Sequence, residues 1–255
     1  VQAIAPLRHA RPLADATACE AAWMQHCAES GQAQIHIWQA PAGWVVPRRY
    51  TQAPGWKAVA SVAKVQVRAS GGGLVAQGPG IWNLSLVWHD LTGGPLRSSM
   101  IYASLCARLG LAFRSLGLVT HTGEAPGSLC DGRFNLLADG RKLAGTAQAW
   151  RRLAGQQIGL FHAVFFLRVN PETLAEDANR LEEHLGHTVR YLAASMTSLH
   201  REVGNRGNAT APEERFLAAL TASLQGVFHP LPGHERRPSA PVVAPSPQGI
   251  TPGSN

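Results

Sequence analysis

The sequence predicts an α/β (α+β) fold, a single domain in which helices flank a mixed sheet. Three observations predict it. The chain has 255 residues, 45% of them hydrophobic, enough to bury one sizeable core. Between Gln34 and Trp88 the apolar residues fall in short runs of the length and punctuation of strands. On either side of that region, and again toward the C-terminus, they recur at the three-to-four residue spacing of amphipathic helices. Strands first mixed with helices and then followed by them suit a mixed sheet better than a sandwich or a bundle.

The elements follow in order. Leu13, Ala16, Cys19, Trp23 and Cys27 recur at helical spacing and predict a helix over about 12–30, with Cys19 and Cys27 as core residues. The runs Ile35–Trp38, Gly43–Pro47, Val62–Arg68 and Asn83–Trp88, punctuated by Pro41, Pro47, Pro54 and Gly55, predict strands of one sheet. A helix over Ser98–Leu109 places Ile101, Leu105 and Leu109 on one face, with Cys106 beside them and buried. Phe134–Ala138 and Arg141–Trp150 flank Asp139-Gly140, a pair that accepts the positive φ angles of a tight hairpin. A strand over about Gly159–Val169 comes next. Asn170-Pro171 then opens a helix striped by Leu174, Ala178, Leu181 and Leu185 and stopped by Gly186. The last helix, about Pro212–Val227, turns Phe216, Leu217, Leu220 and Leu224 inward, with Thr210 and Glu213 as a capping box. The domain is expected over residues 1–228. The Pro-, Ser- and Gly-rich segment 229–255 holds too few apolar groups to offset its ordering entropy and is expected to be disordered.

Composition narrows the function classes. No run of eighteen apolar residues occurs, and the first thirty residues carry no basic-then-apolar signal pattern, so the expectation is a cytoplasmic protein without a membrane partner. The four cysteines, at positions 19, 27, 106 and 130, lack metal or redox spacing and are expected as free thiols. The formal charge of +7 is spread over distant pairs such as Arg48/Arg49 and Arg151/Arg152, with no aromatic-basic nucleic-acid motif beside them. It points to an acidic protein partner rather than to nucleic acid.

Three segments can carry chemistry. Arg68-Ala69-Ser70 followed by Gly71, Gly72 and Gly73 would let backbone N–H groups approach an anion or a carbonyl, with Arg68 adding charge. The run lacks the Gly-Lys-Ser/Thr ending of a phosphate loop and equally suits a bend between two strands. Lys142 is followed by Gly145, Thr146 and Ala147, small residues against which an extended ligand could lie; an exposed hairpin lysine is the plain alternative. Cys130, flanked by Ser128, Asp131, Gly132 and Arg133, falls outside any apolar stripe, which makes it a loop thiol, either a nucleophile or a bare surface cysteine. His162, within the apolar run GLFHAVFF, is a core histidine or a contributor to the site.

Taken together, RASGGGLVAQGPG followed by NLSL, GSLCDGRFNL, and Gly140-Arg141-Lys142 with Gly145-Thr146-Ala147 resemble the motifs of the biotin and lipoate protein ligase family, over roughly residues 38–228. The resemblance is strongest to its lipoate-protein ligase and octanoyl or lipoyl transferase branch. It implies a largely antiparallel mixed sheet and an acyl pocket lined by Arg68, Ser70, Gly71, Gly72, Gly73, Gly78, Asn83, Gly145, Thr146, Ala147 and His162, with no metal. It further implies Cys130 as the nucleophile that forms an octanoyl or lipoyl thioester, and Lys142 as the group that orients the acyl oxygen and assists thiolate formation. The acyl group would come from the glycine-cleavage H protein and pass to a lysine of a lipoyl domain, with no cofactor. Leu129 stands where the family has a large aromatic residue, and Asn135 where it has an acidic one. The rival within the family is an ATP-dependent ligase using ATP and Mg, whose loop usually reads SGGGAVxHD; here Val75-Ala76-Gln77-Gly78 lacks the His and the Asp. A non-catalytic protein that binds acyl groups or lipoyl domains is the alternative from a different class.

Overall fold

The computed structural model describes residues 4–69, 71–90, 98–204 and 211–225. Ser70, Thr210 and the segment 229–255 lie outside the described residues. Among the described residues the strands are β1 (Leu7–Arg8), β2 (Gln34–Trp38), β3 (Gly43–Pro47), β4 (Val65–Arg68), β5 (Val75–Gln77), β6 (Ile81–His89), β7 (His121–Gly123), β8 (Asn135–Ala138), β9 (Arg141–Leu153) and β10 (Gln156–Phe166). The α-helices are α1 (Ala16–Ser30), α2 (Trp56–Val62), α3 (Ser98–Arg114), α4 (Pro171–Leu185), α5 (Leu199–Val203) and α6 (Pro212–Leu224).

The strands form two sheets, not one. A seven-stranded sheet has the order β1-β2-β6-β10-β9-β8-β7, and a three-stranded sheet the order β4-β3-β5. In the large sheet only β1 and β2 pair in parallel, so the mixed, largely antiparallel arrangement holds. The strand expected over Val62–Arg68 begins three residues later: Val62, whose side chain is exposed, is the last residue of α2, and only Val65–Arg68 pairs, parallel to β3.

Alternation along β6 and β10 assigns the two faces of the large sheet. Leu84, Leu86, Phe161 and Phe165 pack with α3, α5 and α6 in one core. Val87, Ile158 and Leu160 meet Met24, Cys27 and Ala28 of α1 on the other face. Beside them on that second face, Ile81, Val164 and Phe166 meet the small sheet and α4. Helix α1 begins at Ala16 rather than near residue 12, because the Asp15 side chain caps it by accepting from the Ala18 N–H. Cys27 is buried as expected, whereas Cys19 is only partly covered. All four cysteines are free.

Two local predictions match in detail. Asp139 and Gly140 take φ of 46° and 75°, so the β8–β9 turn is the primed type that suits the strand twist. Helix α4 starts with Asn170 accepting from the Thr173 N–H and Pro171 in its first turn, and it ends on left-handed Gly186. Helix α6 departs from its expected cap. Its N-cap is Ala211, and Glu213 instead accepts from the Trp82 indole N–H at 2.6 Å.

Candidate active site

A cavity of about 390 Å³ opens on the second face of the large sheet. Its floor is made by Gly145, Ala147 and Ala149 of β9, which pair with Val164, His162 and Leu160 of β10. Antiparallel partners point their side chains to the same face, so the small residues of β9 leave a trough beside the larger ones of β10. Helix α1 supplies one wall through Ala16, Glu20 and Met24, and the small sheet supplies the opposite wall through Val45, Val75 and Ala76.

Cys130 lies at one end of this trough. It is half-buried, sits in a loop with φ of 46°, and accepts a hydrogen bond at its Sγ from the Gly73 N–H at 3.1 Å. The glycine run makes that approach possible. A Cβ on Gly73 would lie 3.1 Å from the Cys130 Cα. A Cβ on Gly72, whose φ is +101°, would lie 2.8 Å from Arg68 Nη2 and 3.1 Å from Cys130 Sγ. We therefore expect Gly72→Ala to push the loop off Cys130, slowing alkylation of the thiol by substrate-like electrophiles about tenfold while costing roughly 1–3 kcal/mol of stability. Iodoacetamide kinetics beside a urea melt measure both.

Arg68 is committed to the loop rather than free for an anion. Its guanidinium donates to the carbonyls of Val45, Gly71 and Gly73, the last at 2.6 Å. Burial draws its pKa below the usual arginine value, but an arginine remains charged at neutral pH. Lys142 is also committed. It is 1% exposed, and its Nζ donates to the carbonyls of Leu129 and, at 2.8 Å, of Cys130. Burial pushes its ammonium down to about 8, against the opposing pull of Cys130 and Asp131. The lysine thus sits beneath the loop that carries the thiol, instead of reaching outward to a ligand. Gly145 gives it room, since a Cβ there would lie 3.1 Å from Nζ.

Of the expected lining, Cys130, Lys142, Arg68, Gly71, Gly72, Gly145, Thr146, Ala147 and His162 meet in this cavity. Gly73 touches it through the bond to Cys130. Asn83 and Gly78 do not line it. Asn83 is fully buried and exchanges two amide hydrogen bonds with Gln77, while Gly78 packs against Ala42, where a Cβ would lie 3.2 Å from the Ala42 Cα.

One group in the cavity was not singled out from the sequence. Glu20 accepts from the Ser85 hydroxyl at 2.7 Å and bonds His162 Nδ1 at 2.6 Å; Ser85 in turn accepts from the Trp38 indole N–H at 2.9 Å. Burial opposes ionisation of Glu20, yet His162, Ser85 and Arg68 outweigh it and hold the carboxyl below the usual carboxylate range. Its partner lies 142 positions away, so no local pattern announces the pair.

Comparison with known proteins gives this geometry a family. The family model of the lipoyl protein ligase A/B catalytic domain matches residues 12–221. An uncharacterised protein of Cupriavidus necator is 36% identical over 215 residues, covering 78% of this chain and 85% of that protein. An octanoyl-GcvH:protein N-octanoyltransferase of Kyrpidia tusciae is 33% identical over 149 residues, covering 56% of this chain and 51% of the relative's length. Among solved structures, a lipoate-protein ligase A bound with ATP superposes with a TM-score of 0.59 at 14% identity, over 87% of this chain and 84% of that one. A bi-partite lipoate protein ligase of Thermoplasma acidophilum gives 0.56 at 14% identity, over the same shares of the two chains. A match over residues 12–221 spans most of the chain, which belongs to the lipoyl protein ligase A/B catalytic domain family.

Proposed function

We propose that this enzyme moves an octanoyl or lipoyl group onto a lysine of a lipoyl-carrier domain through a thioester on Cys130. The observation that carries the reading is the seating of Cys130. Its sulfur faces a backbone N–H of the glycine run, and its own carbonyl rests on Lys142, at the head of a trough with apolar walls. The name of the Kyrpidia relative supports octanoyl transfer.

The steps follow from these groups. In its neutral form Lys142 can keep both donations to the loop carbonyls and still offer a lone pair. It takes the Cys130 thiol proton, and the thiolate attacks the acyl carbonyl of the donor. The Gly73 N–H stabilises the thiolate before attack. The C–N bond to the donor lysine breaks as that amine leaves with a proton, giving an acyl-enzyme. The ε-amine of the acceptor lysine then attacks the thioester and gives up a proton to Lys142, left neutral once the departing amine took its proton, and Cys130 leaves as the thiolate. One amide replaces another, so the exchange needs no ATP and no metal. The donor is the glycine-cleavage H protein, and the acceptor is a lipoyl domain of a 2-oxoacid dehydrogenase. The glycine run, Gly145, Thr146 and Ala147 bed the acyl chain.

Intact mass spectrometry of the protein incubated with an octanoylated H protein, without ATP, tests this reading. A hydroxylamine-sensitive octanoyl adduct on the wild type, absent from Cys130→Ala, is expected. Acyl transfer only from free lipoate with ATP and Mg would move the assignment to a ligase. Binding of the octanoylated carrier with no adduct under either condition would make the protein a binder without turnover.

A further inference from the structure

The Glu20–His162 pair lies along the acyl trough rather than at its reactive head. Lys142 Nζ sits beside Gly145, and Gly145 pairs with Val164. His162 pairs with Ala147, two residues farther along β9, or about 7 Å at strand rise. An extended octanoyl chain spans roughly 9 Å from its carbonyl to its last carbon, seven C–C bonds of about 1.5 Å in a staggered zigzag. With the carbonyl at Cys130, whose loop Lys142 holds from beneath, and the chain lying on Gly145 and Ala147, His162 faces the outer part of the chain.

Both side chains line the cavity and keep part of their surface open, 22% for His162 and 18% for Glu20. Their hydrogen bonds among the described residues use Nδ1 of the ring and one carboxylate oxygen, Oε1. The ring Nε2 and the carboxylate Oε2 have no partner among those residues. A plain hydrocarbon chain offers these two atoms nothing and displaces the water that would otherwise serve them. Ser85 and Trp38 fix the carboxylate from behind, so it cannot turn away to another donor. A hydroxyl or thiol both donates and accepts, and it therefore suits the pair whichever ring nitrogen carries the proton.

We propose that Glu20 and His162 recognise the far half of the acyl chain and favour one that bears a hydroxyl or thiol near C6–C8 over the plain octanoyl chain. The inference rests on the acyl-pocket reading above and names its substrate class: a 6,8-dithiol chain, the reduced lipoyl group, fits ahead of octanoyl.

Isothermal titration calorimetry on the full chain tests it without turnover, using octanoate, 6-hydroxyoctanoate, 8-hydroxyoctanoate and dihydrolipoate. An apolar pocket end binds octanoate most tightly, because a hydroxyl costs desolvation that no partner returns. The expected order is the reverse, with dihydrolipoate and at least one hydroxy acid bound about tenfold more tightly than octanoate, a difference near 1.4 kcal/mol. The preference falls to threefold or less in Glu20→Gln and in His162→Leu, each shown folded by circular dichroism. Octanoate binding tightest to the wild type overturns the inference and leaves the acyl-pocket reading standing. A preference that survives both substitutions overturns the assignment to this pair. Absence of binding by all four acids overturns the inference together with the reading beneath it. The wild-type comparison decides the matter even where a variant fails to fold.

Discussion

Lys142→Met is expected to slow acyl-enzyme formation by about three orders of magnitude, within the range spanned by loss of a positioned acid–base group. Methionine keeps the length and the apolar stem but has nothing to donate to the carbonyls of Leu129 and Cys130, which Nζ now holds. Each carbonyl left unpaired in the interior costs about 1–3 kcal/mol, and the loop is free to escape that cost by moving outward with Cys130. Single-turnover mass spectrometry separates this from simple unfolding. A folded Lys142→Met that acylates at the wild-type rate would remove the lysine from the chemistry.

A second readout bears on the same side chain. An unfolded lysine keeps its proton to about 10.4, whereas the folded Lys142 releases it near about 8. Between those values the unfolded chain binds more protons, so stability rises with pH across that window and is flat below it. The wild type should gain roughly 3 kcal/mol relative to Lys142→Met as pH rises from about 8 to above 10. Urea midpoints for the two proteins at pH 7.5, 8.5 and 9.5 measure the divergence, and parallel curves would show that Lys142 titrates normally.

These expectations turn on backbone partners, and backbone partners mark the boundary of what the sequence made legible. Local chemistry was readable. Asp139-Gly140 needs no distant residue to become a primed turn, and Asn170, Pro171 and Gly186 bound α4 by their own conformational preferences. The gathering of Cys130, Lys142 and the glycine run was readable from the family resemblance, not from periodicity. What stayed hidden depends on tertiary placement. Trp56–Val62 is too short to show a helical stripe, so the sequence does not announce the helix, and its last residue, the solvent-facing Val62, reads as part of the strand that follows. The two-sheet division follows from β3 pairing with β4 and β5 instead of with β2, a choice no single strand encodes. Arg68 and Lys142 looked like cations aimed at a ligand because their carbonyl partners at Val45, Gly73, Leu129 and Cys130 carry no side-chain signature. Glu20 lies on a helix of weak amphipathicity, where a single carboxylate gives no sign that His162 will meet it.

The other large effect is expected far from the thiol, at Glu182. This carboxylate is fully buried on α4. Its Oε1 accepts from the hydroxyls of Tyr50 at 2.6 Å and Tyr191 at 2.7 Å, and its Oε2 bonds His187 Nδ1 at 2.6 Å. Burial, and then the carboxylate itself, hold both phenols above the usual tyrosine value, so they remain donors throughout the neutral range. Glu182→Ala removes the acceptor and leaves two phenols and a ring around a void, which should cost about 3–5 kcal/mol. Glu182→Gln retains one acceptor oxygen for the tyrosines and should cost less than half as much. The damage has a route to the site. Leu192, next to Tyr191, donates its N–H to the Gly127 carbonyl at 2.8 Å, and Ser195 Oγ donates to the Pro126 carbonyl at 2.6 Å. Gly127 and Pro126 open the loop that ends in Leu129 and Cys130, and Leu129 packs in the same core as Tyr50 and Tyr191. In Glu182→Ala, the rate at which Cys130 reacts with iodoacetamide should therefore change at denaturant concentrations too low to unfold the large sheet, whereas that of the wild-type thiol changes only at the global midpoint. Coincident transitions in both proteins would show that α4 and the Cys130 loop unfold only with the whole domain.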